Sequence, residues 1–136
     1  MKLCIILTVL AVAANVTTAL RAFAVIKNML DCHERLGINE EDLMVIQDLS
    51  DMKSASEYTP GQQCSIYCQS EAYGFTRRGQ LKKWFMRKQP RIAQKYNLDK
   101  VFQNCKRYAT DTCDGPIHLA QCAQQYPLHI VGERNL

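Results

Sequence analysis

Two cysteines four residues apart, Cys64 and Cys68, are the residues of this chain whose type and spacing suggest chemistry. Such a pair can bind a metal, exchange thiols, or form disulfides to two other segments. On a helix their Cβ atoms would lie about 5–6 Å apart, farther than the roughly 3.5–4.5 Å of a disulfide. The two should therefore not bond each other. Zinc, with His118 or Cys122 as further ligands, is the competing interpretation, but the spacing is not that of a zinc finger, and we expect neither a metal nor a cofactor.

Catalytic motifs are not evident in the sequence, so we expect no enzymatic activity. The three histidines, His33, His118 and His129, have no neighbouring nucleophile in a recognisable motif. Ser65 and Ser70 lie in no G-x-S-x-G setting. The sequence also lacks a glycine-rich loop that would cradle a phosphate and a helix motif that would ligate a metal.

The start of the chain predicts the compartment in which the protein works. The stretch MKLCIILTVLAVAANVTTA combines a basic Lys2, an apolar run that ends at Ala14, and small residues up to Ala19. The apolar run is short for a membrane span, and the pattern is that of a secretory signal peptide. We predict that residues 1–19 are removed after Ala19, with Ala14 as second choice. The secreted chain would then be a single domain, residues 20–136.

The secreted chain would keep six of the seven cysteines, because Cys4 leaves with the signal peptide. An oxidising compartment favours disulfides between them. Excluding a bond between Cys64 and Cys68 still leaves many pairings open. Each bridge between distant helices would contribute about 2–4 kcal/mol to stability. The six cysteines are Cys32, Cys64, Cys68, Cys105, Cys113 and Cys122.

Apolar residues recur at helical spacing along the chain, which predicts an all-α fold of six short helices. The first helix carries one apolar stripe: Ala22, Val25, Met29, Cys32 and Leu36. Asn39 is expected to cap a second helix, with the stripe Leu43, Ile46 and Leu49. A third helix is expected around Cys64–Tyr73.

The second half of the chain predicts three more helices. The segment GQLKKWFMRKQ would form the fourth, ending or kinked at Pro90, with one side made of Leu81, Trp84 and Phe85. Asn97 is expected to cap the fifth, with the stripe Leu98, Val101, Phe102, Cys105, Tyr108 and Ala109. The sixth opens at Asp114-Gly115-Pro116 and is lined by Leu119, Cys122, Ala123 and Tyr126. The last ten residues are expected to be extended or irregular.

The spacing of the six cysteines resembles that of the insect odorant-binding protein family (pheromone-binding and general-odorant-binding): Cys32-x31-Cys64-x3-Cys68-x36-Cys105-x7-Cys113-x8-Cys122. The segments MLDCHERLGI and CDGPIHLAQC are also similar to segments of the family. The x7 interval is slightly short for the family, which suggests a tight turn between the fifth and sixth helices. The resemblance implies an internal apolar cavity within helices cross-linked by three interlocked disulfides: Cys32–Cys68, Cys64–Cys113 and Cys105–Cys122.

The resemblance implies a secreted carrier that solubilises small hydrophobic ligands, such as odorants or pheromones, in an internal cavity and delivers them to a membrane odorant receptor. Two alternatives remain open: a carrier of the same scaffold used outside smell (salivary, reproductive or haemolymph), and a disulfide-rich helical signalling protein with a solid core. Candidate ligand-binding residues, each also compatible with plain core packing, follow from helical phase and position in the pattern: Val25, Met29, Leu49, Ala72, Trp84, Phe85, Val101, Ala120 and Ala123. The tail adds His129, Ile130 and Val131, for the reason given below.

Residues 77–95 carry eight basic side chains and no acidic one. A solvated helix face is the simpler interpretation of such a run. The alternative is a weak contact with an anionic membrane or with an acidic face of a second copy of the chain. Nucleic acid is not expected as a partner of a secreted chain whose net charge is only +4.

The tail after Pro127 is unusually apolar for a free terminus, with Leu128, Ile130 and Val131. It resembles the tail of family members in which this segment folds across the mouth of the cavity. We therefore predict that Leu128–Val131 form part of the cavity wall. If His129 is partly buried there, acidification should charge it and loosen the tail. A terminus that contacts nothing is the alternative.

Overall fold

Six α-helices and one small β-hairpin follow one another in the computed structural model, which describes residues 2–128, with side chains at Val16 and from Ala19 onward. The predicted all-α class is confirmed, and six helices are present in this range. Their bounds are α1 Lys2–Arg35, α2 Pro60–Tyr73, α3 Lys83–Arg87, α4 Pro90–Lys95, α5 Leu98–Cys105 and α6 Gly115–Ala123; the hairpin consists of β1 Thr76–Arg77 and β2 Gln80–Leu81.

The first helix is longer than the sequence pattern suggested, and it runs through the predicted cleavage site after Ala19. Removal of residues 1–19 stays a prediction. Of the expected stripe, Cys32 is buried and Val25 and Met29 are half-buried, but the two ends, Ala22 and Leu36, are exposed. The helix ends as expected at a glycine in the left-handed region, Gly37 (φ 63°).

The predicted second helix is wrong. Only a single 3-10 turn, Glu40–Asp42, follows Asn39, and the chain then runs without regular structure to a second such turn, Leu49–Asp51. Side chains of α2 satisfy the backbone that a helix would have satisfied itself. The Met44 N–H donates to Ser65 Oγ (2.8 Å), and the Gln69 amide bonds both the N–H (3.0 Å) and the carbonyl (2.6 Å) of Ile46. Apolar side chains of this segment can then pack inward without a helical stripe.

The third helix forms where the sequence placed it. Thr59 caps α2 by accepting from the Gln62 N–H (3.1 Å), and the Gln62 side chain accepts from the Thr59 N–H (2.9 Å), which makes a reciprocal capping box. Pro60 occupies the first turn, where its missing N–H costs nothing. Gly74 (φ 82°) ends the helix.

The predicted fourth helix is divided into a strand and two short helices. Arg78 and Gly79 both have positive φ (52° and 77°), the signature of a tight hairpin turn between β1 and β2. The first residues of the segment therefore lie in β2, and α3 contains only Lys83–Arg87. Pro90 neither kinks nor simply ends a helix; it begins α4.

The last two helices match the prediction closely. The Asn97 side chain caps α5 by accepting from the Lys100 N–H (3.2 Å). One 3-10 turn, Lys106–Tyr108, lies between α5 and α6. After α6 the chain returns to the α4–α5 junction, where the Leu128 N–H donates to the Lys95 carbonyl (2.8 Å) and the Asn97 N–H donates to the Tyr126 carbonyl (2.9 Å).

Three disulfides join these helices, in the pairing that the resemblance implies. Cys32–Cys68 ties α1 to α2, Cys64–Cys113 ties α2 to the segment before α6, and Cys105–Cys122 ties α5 to α6. Cys64 and Cys68 do face two different partners, as the spacing argument required. Within residues 2–128, no helix combines the length and the apolar character needed to cross a membrane.

Candidate ligand-binding cavity

The hydrophobic core consists of two clusters with α6 between them. One is built mainly from α3, α4, α5 and α6 and includes Met86, Ile92, Val101, Leu119 and Ala123. The other lies between α2, α6 and the irregular segment before α2 and consists of Met52, Tyr58, Ile66, Ile117 and Ala120. Leu49 packs against both clusters. Side chains of both clusters also line a common empty space.

That space is a cavity of about 510 Å³, within the size range of small-molecule sites. Five segments form its walls: residues 45–52, α2, the hairpin with α3, α4 with Tyr96, and α5 with α6. The floor is made of buried side chains from the helices, Ile66, Met86, Val101, Leu119, Ala120 and Ala123. Such a lining favours an apolar guest.

Four of the residues predicted to bind ligand line this cavity: Leu49, Val101, Ala120 and Ala123. Val25 and Met29 do not, because α1 packs against α2 on the side away from the cavity lining. Ala72 is half-buried on α2 but outside the lining, next to Tyr73, which does line it.

The two aromatic residues predicted from α3 lie outside the cavity. Trp84 is 68% exposed, and the Lys88 ammonium sits 3.9 Å from the centroid of its ring. Phe85 packs edge-on against Phe75 (ring centroids 5.6 Å apart), and Phe75 is the residue that reaches the cavity. Both predictions assumed one continuous helix from Gly79 to Gln89. Because the hairpin replaces its first turns, α3 turns a different face to the core, and Met86 lines the cavity instead.

Leu128, predicted to form part of the cavity wall, is exposed and does not line the cavity. The other residues of that prediction, His129, Ile130 and Val131, lie outside the described residues.

Sequence reasoning missed several lining residues, and for some of them a signal was present. Tyr96 precedes the cap residue Asn97, and Val101 stands at the fourth position of α5, which is the spacing of a hydrophobic staple. Both are buried in the same cluster. Ile92 follows from Pro90 once the proline is taken as the start of a helix rather than its end. No local pattern identifies Phe75 or Met52.

Residues 45–52 and α4 meet in a polar contact at the rim of the cavity. The Lys95 ammonium bonds the Asp48 carboxylate, and the Ser50 N–H donates to the same carboxylate (3.1 Å). The hydrogen bond from Lys95 holds the pKa of Asp48 down at about 2, against an ordinary value of 3.8. Arg91, one turn before Lys95, also lines the cavity.

A buried polar pair anchors the other end of this segment. His33 Nε2 lies 3.2 Å from Ser65 Oγ, which also accepts the Met44 N–H. Nδ1 of His33 is buried without a hydrogen-bond partner in the described part of the chain. Burial lowers the pKa of His33 below its ordinary value because the charged ring would lose hydration, and the hydrogen bond with Ser65 offsets only part of that loss. This contact links α1, α2 and the cavity wall.

The zinc interpretation of Cys64 and Cys68 is wrong, because both sulfurs are bonded in disulfides and cannot act as thiolate ligands. Cys122 is likewise bonded to Cys105. His118 instead lies 3.2 Å from the carboxylate of Asp114, one turn earlier on the chain. Among residues whose side chains are described, no cluster of three potential metal ligands occurs.

Comparison with known families assigns residues 21–126 to one family model, described as the PBP/GOBP family. The match covers both hydrophobic clusters, the three disulfides and every residue that lines the cavity. Neither a curated protein nor a solved structure matches the chain.

Proposed function

Because the chain belongs to the PBP/GOBP family, a family of binding proteins rather than of enzymes, we propose that it carries small hydrophobic molecules in the cavity described above. The observation that carries this proposal is the cavity itself, a largely apolar space of about 510 Å³. It separates two hydrophobic clusters that could otherwise pack on α6 as one solid core. A signalling protein with its function on the surface would have no use for such a void, since closing it would add stability.

The ligands that suit this cavity have roughly ten to twenty heavy atoms, as expected for a site of this volume. We infer that they include odorants, pheromones or chemically similar compounds. Displacement of a neutral hydrophobic fluorescent probe by long-chain alcohols, esters and fatty acids tests the proposal. We expect displacement at micromolar concentrations by the oxidised protein. Failure of every apolar compound to displace the probe would refute the carrier function.

We further propose that the carrier is secreted after loss of residues 1–19 and delivers its ligand to a membrane receptor. The apolar run before Ala14 and the three disulfides support secretion. Sequencing the N-terminus of the protein released by cultured cells should find Leu20. The tissue of expression then distinguishes an odorant carrier from a salivary, reproductive or haemolymph carrier of the same scaffold.

The basic segment 77–95 supports a weak contact with an anionic membrane, which would bring the carrier to its receptor. Asp99 neutralises part of the segment by pairing with Lys83 (2.7 Å) and Arg87 (3.2 Å). Asp99 does not pair with Lys88, whose ammonium lies over the exposed ring of Trp84. An aromatic ring together with a cation favours the lipid–water interface. We prefer a membrane to a second copy of the chain because an acidic protein face would attract only the charges, whereas a membrane also offers an apolar region to the exposed Trp84 ring.

Trp84 is the only tryptophan of the chain, so its fluorescence reports the membrane contact directly. We expect its emission to shift to shorter wavelength with phosphatidylserine vesicles at low salt, and to stay unchanged with phosphatidylcholine vesicles or at high salt. Exchange of Lys88 for Gln should weaken the shift. If anionic vesicles leave the emission spectrum unchanged, the basic segment is only a solvated surface and does not bind membranes.

A further inference from the structure

Several polar side chains in the cavity wall differ in whether the protein already supplies their hydrogen-bond partners. Away from the rim, Ser70 Oγ bonds Thr76 Oγ1 (2.9 Å), and Thr76 Oγ1 donates to the Glu71 carboxylate (2.9 Å). Both ends of the Gln69 amide are occupied by the backbone of Ile46. These groups have their partners within the protein, so the inner part of the cavity offers a guest mainly apolar contact.

Other polar side chains lie at the rim. Within the described part of the chain, the guanidinium of Arg91 makes no ion pair, and the side-chain amides of Gln47 and Gln89 make no hydrogen bond. All three line the cavity. Gln47 is next to Asp48, and Arg91 is one turn from Lys95 on α4. Because Asp48 and Lys95 bond each other, they hold Gln47 and Arg91 at the same edge.

The charges at this edge do not cancel. Asp48 and Arg91 are the charged residues in the lining, and Asp48 is already bound by Lys95. The net charge at the rim is therefore positive. A guanidinium presents its N–H donors in a planar fork that matches a carboxylate. A neutral ligand would leave this fork to water alone.

On the premise that the cavity binds apolar molecules, we propose that its preferred ligand is a long-chain carboxylate, with the hydrocarbon chain in the cavity and the carboxylate on Arg91 at the rim. Gln47 and Gln89 supply additional N–H donors. The rim thus selects the head group, while the two clusters select the length and bulk of the chain.

Three ligands of equal chain length test this assignment by probe displacement at neutral pH: dodecanoic acid, dodecanol and methyl dodecanoate. We expect the acid to bind more tightly than the other two. Exchange of Arg91 for Gln should weaken the acid about five- to thirtyfold and the alcohol by less than about twofold. Arg91→Lys keeps the charge but loses the fork, and it should restore only part of the affinity. Arg77→Gln removes an equal charge from β1, outside the cavity lining, and should change neither.

The outcomes separate the inference from the proposed function. Equal binding of acid and alcohol, or equal loss of both in Arg91→Gln, overturns the head-group assignment and leaves the carrier function intact. No binding of any of the three compounds removes the carrier function itself. The tail beyond Leu128 contains one acidic side chain, Glu133. If the acid is preferred only in a Glu133→Gln variant, Arg91 serves that side chain instead, and the inference is wrong.

Discussion

The two sides of the cavity are held together by bonds of different kinds. On the side of α2 and α6, the disulfides Cys32–Cys68 and Cys64–Cys113 cross-link elements far apart in sequence, the first of them joining α2 to α1 behind it. On the opposite side, residues 45–52 meet α4 only through reversible contacts, chiefly the Asp48–Lys95 pair. From this difference we expect a covalent frame that preserves the cavity and a rim that can open for a ligand to pass.

Breaking the frame should have the largest effect. Exchange of both Cys64 and Cys113 for Ser removes a cross-link over 49 residues and should lower the free energy of unfolding by about 2–5 kcal/mol. Urea unfolding of the oxidised proteins measures this change, and probe binding should fall with it. The matched change at the rim, Asp48→Asn, should cost far less. Similar losses in the two variants would contradict the division into frame and rim.

Filling the floor of the cavity should abolish binding without breaking the frame. Ala120 is 3% exposed and lines the cavity, so a Phe at this position would occupy the space of the ligand. We expect Ala120→Phe to weaken probe binding about tenfold or more, with a modest loss of stability from overpacking. Ala72→Phe is the matched control on α2, outside the lining, and should change affinity by less than about threefold. If Ala72→Phe weakens probe binding more than Ala120→Phe, the probe binds outside this cavity.

Acidification should weaken the anchor at His33. Because burial lowers the pKa of this residue below its ordinary 6.5, the folded state binds fewer protons than the unfolded state in this range. Its contribution to stability is therefore complete above pH 6.5 and is lost as the pH falls from there through the lowered value. Urea unfolding at several pH values across this range should show that the free energy of unfolding depends less steeply on pH in His33→Gln than in the wild type.

Opening the rim should have the smallest effect on stability and a clear effect on ligand exchange. Asp48 has its pKa lowered to about 2, so the stabilisation by Lys95 is present above pH 3.8 and is lost as the pH falls from 3.8 towards 2. At neutral pH, Lys95→Met should speed ligand dissociation in stopped-flow measurements, with little change in the melting temperature. Lys83→Met breaks an ion pair outside the cavity and serves as control. Unchanged dissociation in Lys95→Met would show that ligands pass elsewhere.

Much of the fold follows from short-range signals in the sequence. Caps at Thr59 and Asn97, glycines with positive φ at Gly37 and Gly74, and Pro116 in the first turn of α6 are local devices, and each works as its residue type predicts. The spacing of Cys64 and Cys68 also suffices to exclude a bond between them, because helix geometry fixes the distance. The cysteine pattern then indicates the family, and with it the pairing.

The cavity depended on contacts that no local pattern contains. Residues 43–51 carry helical spacing, yet Gln69 and Ser65 satisfy their backbone from α2, and the helix is not formed. The turn at Arg78 and Gly79 shifts the phase of the next segment, which turns Trp84 outward and Met86 inward. The helical spacing of apolar residues indicates only that one face of a helix is buried. Whether that face meets a neighbour or an empty space depends on where the other helices end, and only the tertiary structure decides this.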